Sequence, residues 1–146
     1  MDSHVVVCDI DGTLSDSDHR RIYLSGEKRN WGMYLAMASL DEVKPFTRSV
    51  VGFLFESGYA VHILTARHRD SRSDTEHWLK RNDVLYHELH MPRHGESNFL
   101  KDDVLKSQWL DEQGKDFESR IVCCLEDRED IVKMWRDRGL ICWQVA

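Results

Sequence analysis

The stretch VVVCDIDGTLSD, residues 5–16, decides how the rest of this sequence can fold. Its first four residues are apolar and mostly β-branched, which is typical of a strand buried on both faces of a parallel sheet. Asp9 and Asp11 follow directly, and Gly12 and Thr13 then turn the chain. At a strand end such carboxylates can hold a hard cation, and backbone N–H groups of the turn at Gly12 and Thr13 can face an anion. By itself, the same stretch also fits an ordinary capped turn.

Composition and charge indicate one globular domain, residues 1–146, with a hydrophobic core of ordinary size. Charged residues make up 32% and hydrophobic residues 41%, and we expect neither a transmembrane helix nor a signal peptide. The net charge of −6 argues against a long nucleic-acid groove but not against binding one phosphate. The cysteines lie in apolar segments without zinc-site spacing, so we expect buried thiols in a reducing cytoplasm: Cys8, Cys123, Cys124 and Cys142.

Apolar strand-like segments alternate with helical segments along the chain. Strands are predicted over residues 5–8, 60–64, 84–90, 121–125 and 140–145. The helices between them include one over residues 102–113 and one in which Ser73 and Glu76 have capping-box spacing. This alternation predicts an α/β fold with a doubly wound parallel sheet. Residues 18–40 interrupt it, and we expect a small cap there, within residues 17–44, over the mouth of the site.

Polar residues that suit phosphoryl transfer follow the other strands. Thr65 ends the second strand, where its hydroxyl and N–H can hold a phosphoryl oxygen, and Glu126 and Asp127 directly follow the fourth. Lys101 and Lys106, both upstream of the fourth strand, are candidates for a cation that offsets phosphoryl charge. Because the carboxyl ends of parallel strands meet at one edge of a sheet, the acid pair opposite the first motif would make a magnesium pocket.

The pattern Asp-x-Asp-Gly-Thr, followed in order by a Thr, a Lys and an acid pair, resembles the haloacid dehalogenase (HAD) phosphohydrolases. The resemblance implies that Asp9 attacks phosphorus and forms an aspartyl-phosphate. It implies that Asp11 protonates the leaving oxygen and then deprotonates the hydrolytic water. It also implies that Thr65 and Lys106 bind the phosphoryl group.

The same resemblance implies a Mg²⁺ site formed by the Asp9 carboxylate, the Asp11 carbonyl and Asp127. The family more often has two aspartates where this chain has Glu126 and Asp127. A water-mediated role is therefore implied for Glu126, with Asp130 as a substitute.

The second half of the chain is similar to the phosphatase domain of polynucleotide kinase/phosphatases, which remove 3′-phosphates from nucleic-acid ends. The similar segments are LHM at 89–91, KDDVLK at 101–106, EDR at 126–128, MWR at 134–136 and CWQVA at 142–146. The similarity implies that Lys106 rather than Lys101 is the phosphate lysine. The chain lacks a Gly-x-x-x-x-Gly-Lys-Ser/Thr loop, so we expect a phosphatase without a kinase half, with a separate kinase or ligase as partner.

Residues near the expected mouth are candidates for substrate contact. Arg67 is best placed, since similar enzymes carry an arginine there for substrate, and Ala66 beside it is a further candidate. His19 and Arg20 fit substrate contact and a solvated surface equally well.

Three functions are consistent with these patterns. The first is a Mg²⁺-dependent phosphatase of 3′-phosphates on DNA or RNA ends, which the resemblance of the second half favours. The second is a phosphatase of nucleoside monophosphates or another small phosphomonoester, which the small size and acidic charge favour slightly. The third is a non-catalytic HAD-fold binding module, and the intact set of motif residues argues against it.

Overall fold

The protein is described by a computed structural model over residues 3–94 and 99–146. In chain order, its elements there are β1 (Val5–Cys8), β2 (Ser15–Asp16), α1 (Trp31–Ala36), β3 (Glu42–Val43), α2 (Pro45–Glu56), β4 (Ala60–Leu64), α3 (Arg72–Arg81), β5 (Glu88–His90), α4 (Asp102–Gln113), α5 (Lys115–Arg120), β6 (Ile121–Glu126), α6 (Glu129–Asp137) and β7 (Cys142–Gln144). Five of these strands form a parallel sheet in the order β5-β4-β1-β6-β7. The carboxyl ends of the central strands therefore lie at one edge.

Helices cover both faces of this sheet. Val5 and Val7 of the central strand pack in a core cluster with Trp109 of α4 and with residues of α5 and α6. Cys8 belongs to a second cluster that includes Trp78 of α3 and residues of α2. The whole of β1 is buried, as expected for an apolar strand with helices on either side. The prediction of a doubly wound α/β fold is confirmed.

Residues 17–44, here called the insert, interrupt the alternation of strands and helices. The insert contains α1 between two 3₁₀ helices, Asp18–Leu24 and Met37–Leu40. The antiparallel pairing of β2 with β3 brings its two ends together. Trp78 Nε1 of α3 donates to the Asp41 carbonyl at 2.9 Å, so the insert is also anchored to the main body.

Several local predictions are wrong. The third strand covers only Glu88–His90, because the N–H of Val84 still bonds to the Leu79 carbonyl at the end of α3. The capping box is absent: α3 begins at Arg72 after a 3₁₀ turn, which places Ser73 inside its first turn. Helix α5 was not expected after the turn at Gly114, and the last strand is limited to Cys142–Gln144.

The four thiols are free, as expected. Those of Cys8, Cys124 and Cys142 are buried, and that of Cys123 is half-buried. In the part of the chain that the structure describes, no helix has the length and apolar character needed to cross a bilayer.

Candidate active site

Asp9 stands at the end of β1 and is paired with a buried lysine. Lys106 Nζ donates to Asp9 Oδ1 and to Glu126 Oε2, each at 2.8 Å, and all three side chains are almost fully buried. The lysine reaches the site because it lies on the inward face of α4. Lys101 is exposed just before that helix, outside the pairing of Lys106 with Asp9 and Glu126.

Asp127 faces Asp9 across the hydroxyl of Thr13. Thr13 Oγ1 lies 3.1 Å from Asp9 Oδ2 and 3.0 Å from Asp127 Oδ1. One hydroxyl proton cannot be donated to both carboxylates at once. Asp9, Glu126 and Asp127, here called the carboxylate cluster, offer three oxygens that all lie within 4.8 Å of one another. Asp130 is exposed and paired with Arg128, outside this cluster.

Crowding of these acids is visible in their proton affinities. Burial and the neighbouring Glu126 raise the pKa of Asp9 to about 7, although Lys106 opposes the shift. Burial and Asp9 likewise raise the pKa of Asp127, and burial raises that of Glu126. A cation among the acids would relieve this cost, and a donor set made only of oxygens fits Mg²⁺.

Asp11 is held by two arginines rather than by the carboxylate cluster. Arg67 donates from Nη2 to Asp11 Oδ1 at 2.7 Å and from Nε to Oδ2 at 3.0 Å. Arg20 Nη2 also donates to Asp11 Oδ1. Burial acts in the opposite direction, but Arg67 and then Arg20 bring the pKa of Asp11 below its usual value. In this arrangement Asp11 is a carboxylate.

Asp41 holds Arg20 in place, a role that the sequence did not predict. Arg20 is 1% exposed, which excludes a solvated surface for it. Its Nε and Nη2 donate to the two oxygens of Asp41 at 2.8 and 2.7 Å, and His19 Nε2 lies 2.7 Å from Asp41 Oδ1. An aspartate before a helix is normally interpreted as part of a turn, so nothing in the local sequence identified this role.

The loop after β4 offers the N–H of Ala66 and the hydroxyl of Thr65. The N–H of Thr65 donates to the His90 carbonyl at 3.1 Å, so the expectation that it holds a phosphoryl oxygen is wrong. Thr65 Oγ1 accepts the N–H of Arg67 at 3.1 Å and keeps its own proton available. The N–H of Ala66 has no acceptor within the described residues, and Arg93 Nε donates to the Ala66 carbonyl, in the next peptide group, at 2.8 Å.

The first turn does not present the N–H groups of Gly12 and Thr13, which corrects their expected role as anion donors. Gly12 N–H donates to the Ser15 carbonyl at 2.9 Å, and Thr13 N–H to the Ile10 carbonyl at 3.0 Å. The N–H of Asp11, by contrast, has no acceptor in residues 3–94 or 99–146. A phosphoryl group beside Asp9 could therefore meet the N–H groups of Asp11 and Ala66.

Comparison with solved structures relates this arrangement to other proteins. A chain in a Pnkp1/Rnl/Hen1 complex matches with 27% identity and a TM-score of 0.77, over 99% of this chain and 47% of that one. A chain in a Pnkp1/Rnl/Hen1 RNA repair complex matches with 29% identity and a TM-score of 0.78, over 99% and 44%. This protein thus spans about half the length of those chains.

A more distant match shows the fold alone. A haloacid dehalogenase-like family hydrolase from Streptococcus pneumoniae has 13% identity and a TM-score of 0.67, over 99% of this chain and 85% of its own.

The family described as the polynucleotide kinase PNKP phosphatase domain matches residues 3–146, which is nearly the whole chain. The protein therefore belongs to the polynucleotide kinase PNKP phosphatase domain family and is a phosphatase of the haloacid dehalogenase type.

Proposed function

We propose that this protein is a Mg²⁺-dependent phosphomonoesterase that removes 3′-phosphates from polynucleotide ends. The observation that carries this proposal is the placement of Asp9 between a buried lysine and a second carboxylate, in a chain of the PNKP phosphatase domain family. The reaction would run through an aspartyl-phosphate on Asp9.

The metal would be held by the carboxylates of Asp9 and Asp127 and by the Asp11 carbonyl, with Glu126 acting through water. When bound, Mg²⁺ offsets negative charge on the phosphoryl oxygens. Glu126 already accepts hydrogen bonds from Lys106 and from the Asp127 N–H at 3.0 Å. These contacts support an outer role for Glu126, in which it orients Lys106 and the loop that carries Asp127.

The phosphoryl group would be held by Thr65 Oγ1, Lys106 Nζ and the N–H groups of Asp11 and Ala66. An Asp9 oxygen attacks phosphorus, and the bond between phosphorus and the 3′-oxygen breaks. The leaving oxygen takes a proton from Asp11. Water then attacks the aspartyl-phosphate, gives its proton to Asp11 and releases inorganic phosphate with a free Asp9 carboxylate.

Asp11 must gain a proton before it can act as an acid, and its arginine partners provide a way. Phosphate oxygens of the substrate compete for the guanidinium groups of Arg20 and Arg67, which suit bidentate phosphate contacts. Because these arginines lower the pKa of Asp11, their transfer to substrate raises it again. We infer that the insert, which carries Arg20, acts as a small cap over this substrate.

Two observations support nucleic-acid ends as the substrate, with RNA ends first. The family is defined on a polynucleotide kinase phosphatase domain, and two of the matched chains occur in Pnkp1/Rnl/Hen1 complexes, one described as an RNA repair complex. A separate kinase or ligase is the partner we propose, because the matched chains occur in Pnkp1/Rnl/Hen1 complexes. The net charge of −6 favours mononucleotides as the second candidate substrate.

The test is phosphate release from matched substrates, with and without Mg²⁺. These are a 3′-phosphorylated RNA and DNA oligonucleotide, the same oligonucleotides phosphorylated at the 5′ end, and 3′- and 5′-mononucleotides. Strong preference for the 3′-phosphorylated oligonucleotides, dependent on Mg²⁺, is expected. Equal or faster turnover of mononucleotides would refute the proposal and identify the protein as a phosphatase of nucleoside monophosphates.

The variant Asp9→Asn is the blank, because an amide cannot form the aspartyl-phosphate. It should retain the fold and release no phosphate from any substrate. Full activity of this variant would refute the mechanism, whatever the substrate preference.

A further inference from the structure

Three side chains with metal-binding atoms lie together at the β4–β5 edge of the sheet. His62 of β4 is the register partner of Glu88 of β5, so these two side chains stand side by side on one face. His90 follows Glu88 by two residues and therefore points to the same face. The strand register alone brings two imidazoles and a carboxylate together.

The ligand atoms converge. His62 Nδ1 lies 2.9 Å from His90 Nε2, and one atom from each of the three residues lies within 4.8 Å of the other two. The two rings are nearly parallel, at 6°, with centroids 5.2 Å apart. Burial and the neighbouring His62 lower the pKa of His90 to about 4, and burial also lowers that of His62. Both rings are therefore neutral at pH 7, which is the form that binds metal.

We propose that His62, Glu88 and His90 form a second cation site, selective for a borderline transition metal such as Zn²⁺. Two neutral imidazoles and a carboxylate are three ligands of a common zinc set, and water would take a fourth position. Mg²⁺ strongly prefers oxygen donors, so it should stay with the carboxylate cluster.

The surroundings favour a metal over a simple pair of hydrogen-bonded histidines. Across residues 3–94 and 99–146, Glu88 forms neither an ion pair nor a side-chain hydrogen bond, so it remains available as a ligand. It is exposed, which gives an ion a path from solvent. On the inner side, Phe117 packs against His62 and Trp109 against His90, with ring centroids 5.2 and 4.9 Å apart. These aromatic rings restrict the orientations of both imidazoles.

Two cations near the site limit its affinity. The positive charge of Arg120 lowers the pKa of His62, and that of Arg72 lowers the pKa of His90. Both arginines would repel a bound cation in the same way. The negative charge of Glu88 raises the pKa of both histidines, so Glu88 is the group that would offset the charge of a bound cation. Removal of its charge should therefore weaken the site even though the two imidazoles remain.

The first experiment is calorimetric titration of Zn²⁺ into chelator-stripped protein, with excess Mg²⁺ present to compete for the carboxylate cluster. One Zn²⁺ per chain should bind to wild type. His62→Asn and His90→Asn should each weaken binding by at least about tenfold, since even residues outside a ligand set commonly contribute that much. Glu88→Gln should weaken it too, and His77→Asn, a change at an exposed histidine on α3, should not.

A second measurement leaves the three proposed ligand residues unchanged. Bound Co²⁺ should quench the fluorescence of Trp109, which contacts His90, and Trp109→Phe should lose most of that quenching. Absence of quenching in wild type, or Zn²⁺ binding that the two histidine variants leave unchanged, would overturn the proposal. Either result would leave a histidine pair that shares one proton.

Discussion

At the scale of single residues, Gly12 is the point where the first loop passes closest to the carboxylate of Asp127. A Cβ at this position would lie 2.6 Å from Asp127 Cγ, and the backbone φ is +87°. We expect Gly12→Ala to displace Asp127 and to lower turnover about 100-fold, the order of loss that a displacement near 1 Å causes in a catalytic site. Phosphate release would measure the loss of turnover, and Mg²⁺ titration would measure the loss of Mg²⁺ affinity that displacement of Asp127 should cause.

Gly58→Ala is the matched control for Gly12→Ala. Gly58 also has a positive φ, +92°, but a Cβ there would meet nothing within 4 Å. Both variants should lose about 1–2 kcal/mol of unfolding free energy from the backbone conformation. Only Gly12→Ala should lose activity and Mg²⁺ affinity, and equal loss of activity in both would contradict a specific clash with Asp127.

Asp41 is expected to hold Arg20 in place through its charge. Asp41→Asn leaves the buried guanidinium without one of its two anionic partners, Asp11 being the other. Loss of a partner from a buried ion pair typically costs about 3–5 kcal/mol, and urea unfolding would measure the cost.

His19→Asn is the comparison for Asp41→Asn, because it removes a contact to the same carboxylate. The His19 side chain is 38% exposed, so the loss there should stay below about 1 kcal/mol. Similar losses from both variants would mean that the charge of Asp41 does not stabilise Arg20.

The order of the motifs predicted the site residues at the strand ends, but not the residues that hold them in place through hydrogen bonds. Asp9, Thr65 and Lys106 have positions fixed by a strand end or a helix face, and the structure places Asp9 and Lys106 in direct contact. Asp41 and Arg93 act through long-range contacts made by loops, and no local pattern marks such contacts. The N–H groups of Gly12, Thr13 and Thr65 were expected to be available and are not, because turn hydrogen bonds depend on backbone detail.

At the scale of elements, Glu118 of α5 links this short helix to the end of α6. Arg138 donates to Glu118 Oε1 at 3.2 Å, and Lys115 Nζ donates to Oε2 at 2.7 Å. The Lys115 hydrogen bond lowers the pKa of Glu118, burial opposes the shift, and Arg138 adds to the lowering. Glu118 therefore stabilises the fold above the pKa of an unfolded glutamate, 4.5, and that contribution disappears as the pH falls through the lower folded value.

Glu118→Gln should accordingly lower the unfolding free energy at pH 7 by at most about 1 kcal/mol, since Lys115 is exposed and screened. The difference from wild type should shrink as the pH falls below 4.5, where the wild-type carboxyl is protonated as well. Thermal unfolding across this pH range would measure it. A difference that is the same at pH 7 and at pH 3 would exclude the charged contact as its cause.

Elements with a clear apolar pattern were predicted closely, and those without one were not. β1 and β4 have the predicted bounds because each is a mostly apolar run that ends at polar residues, and α4 has them because its buried residues recur at helical spacing. Helix α5 has one buried apolar residue, Phe117, and so gave no period to detect. β5 is short because the chain leaves α3 through a turn in which Asp83 has a positive φ.

At the scale of the whole molecule, the charge of −6 limits how a polynucleotide can bind. In the proposed complex, Arg20 and Arg67 supply positive charge to the substrate in addition to Lys106 at the phosphoryl group, and both arginines are paired with Asp11 in the free protein. The slope of log(kcat/KM) against log salt concentration should therefore be shallow, about −1 to −2 for single strands. A slope of about −5 or steeper would show an extended basic track that this interpretation does not contain.

The buried thiols allow opening of the core to be measured by chemical labelling of the protein itself. Burial raises the pKa of Cys8, the residue directly before the proposed nucleophile, so its thiol is inert while β1 stays in the sheet. A thiol reagent can reach it only in molecules in which β1 has separated from the neighbouring strands or from the helices α2 and α3 that cover Cys8. The rate at which Cys8 is labelled therefore measures how often the core around the nucleophile's strand opens, and the half-buried Cys123 provides an internal reference on the same molecule.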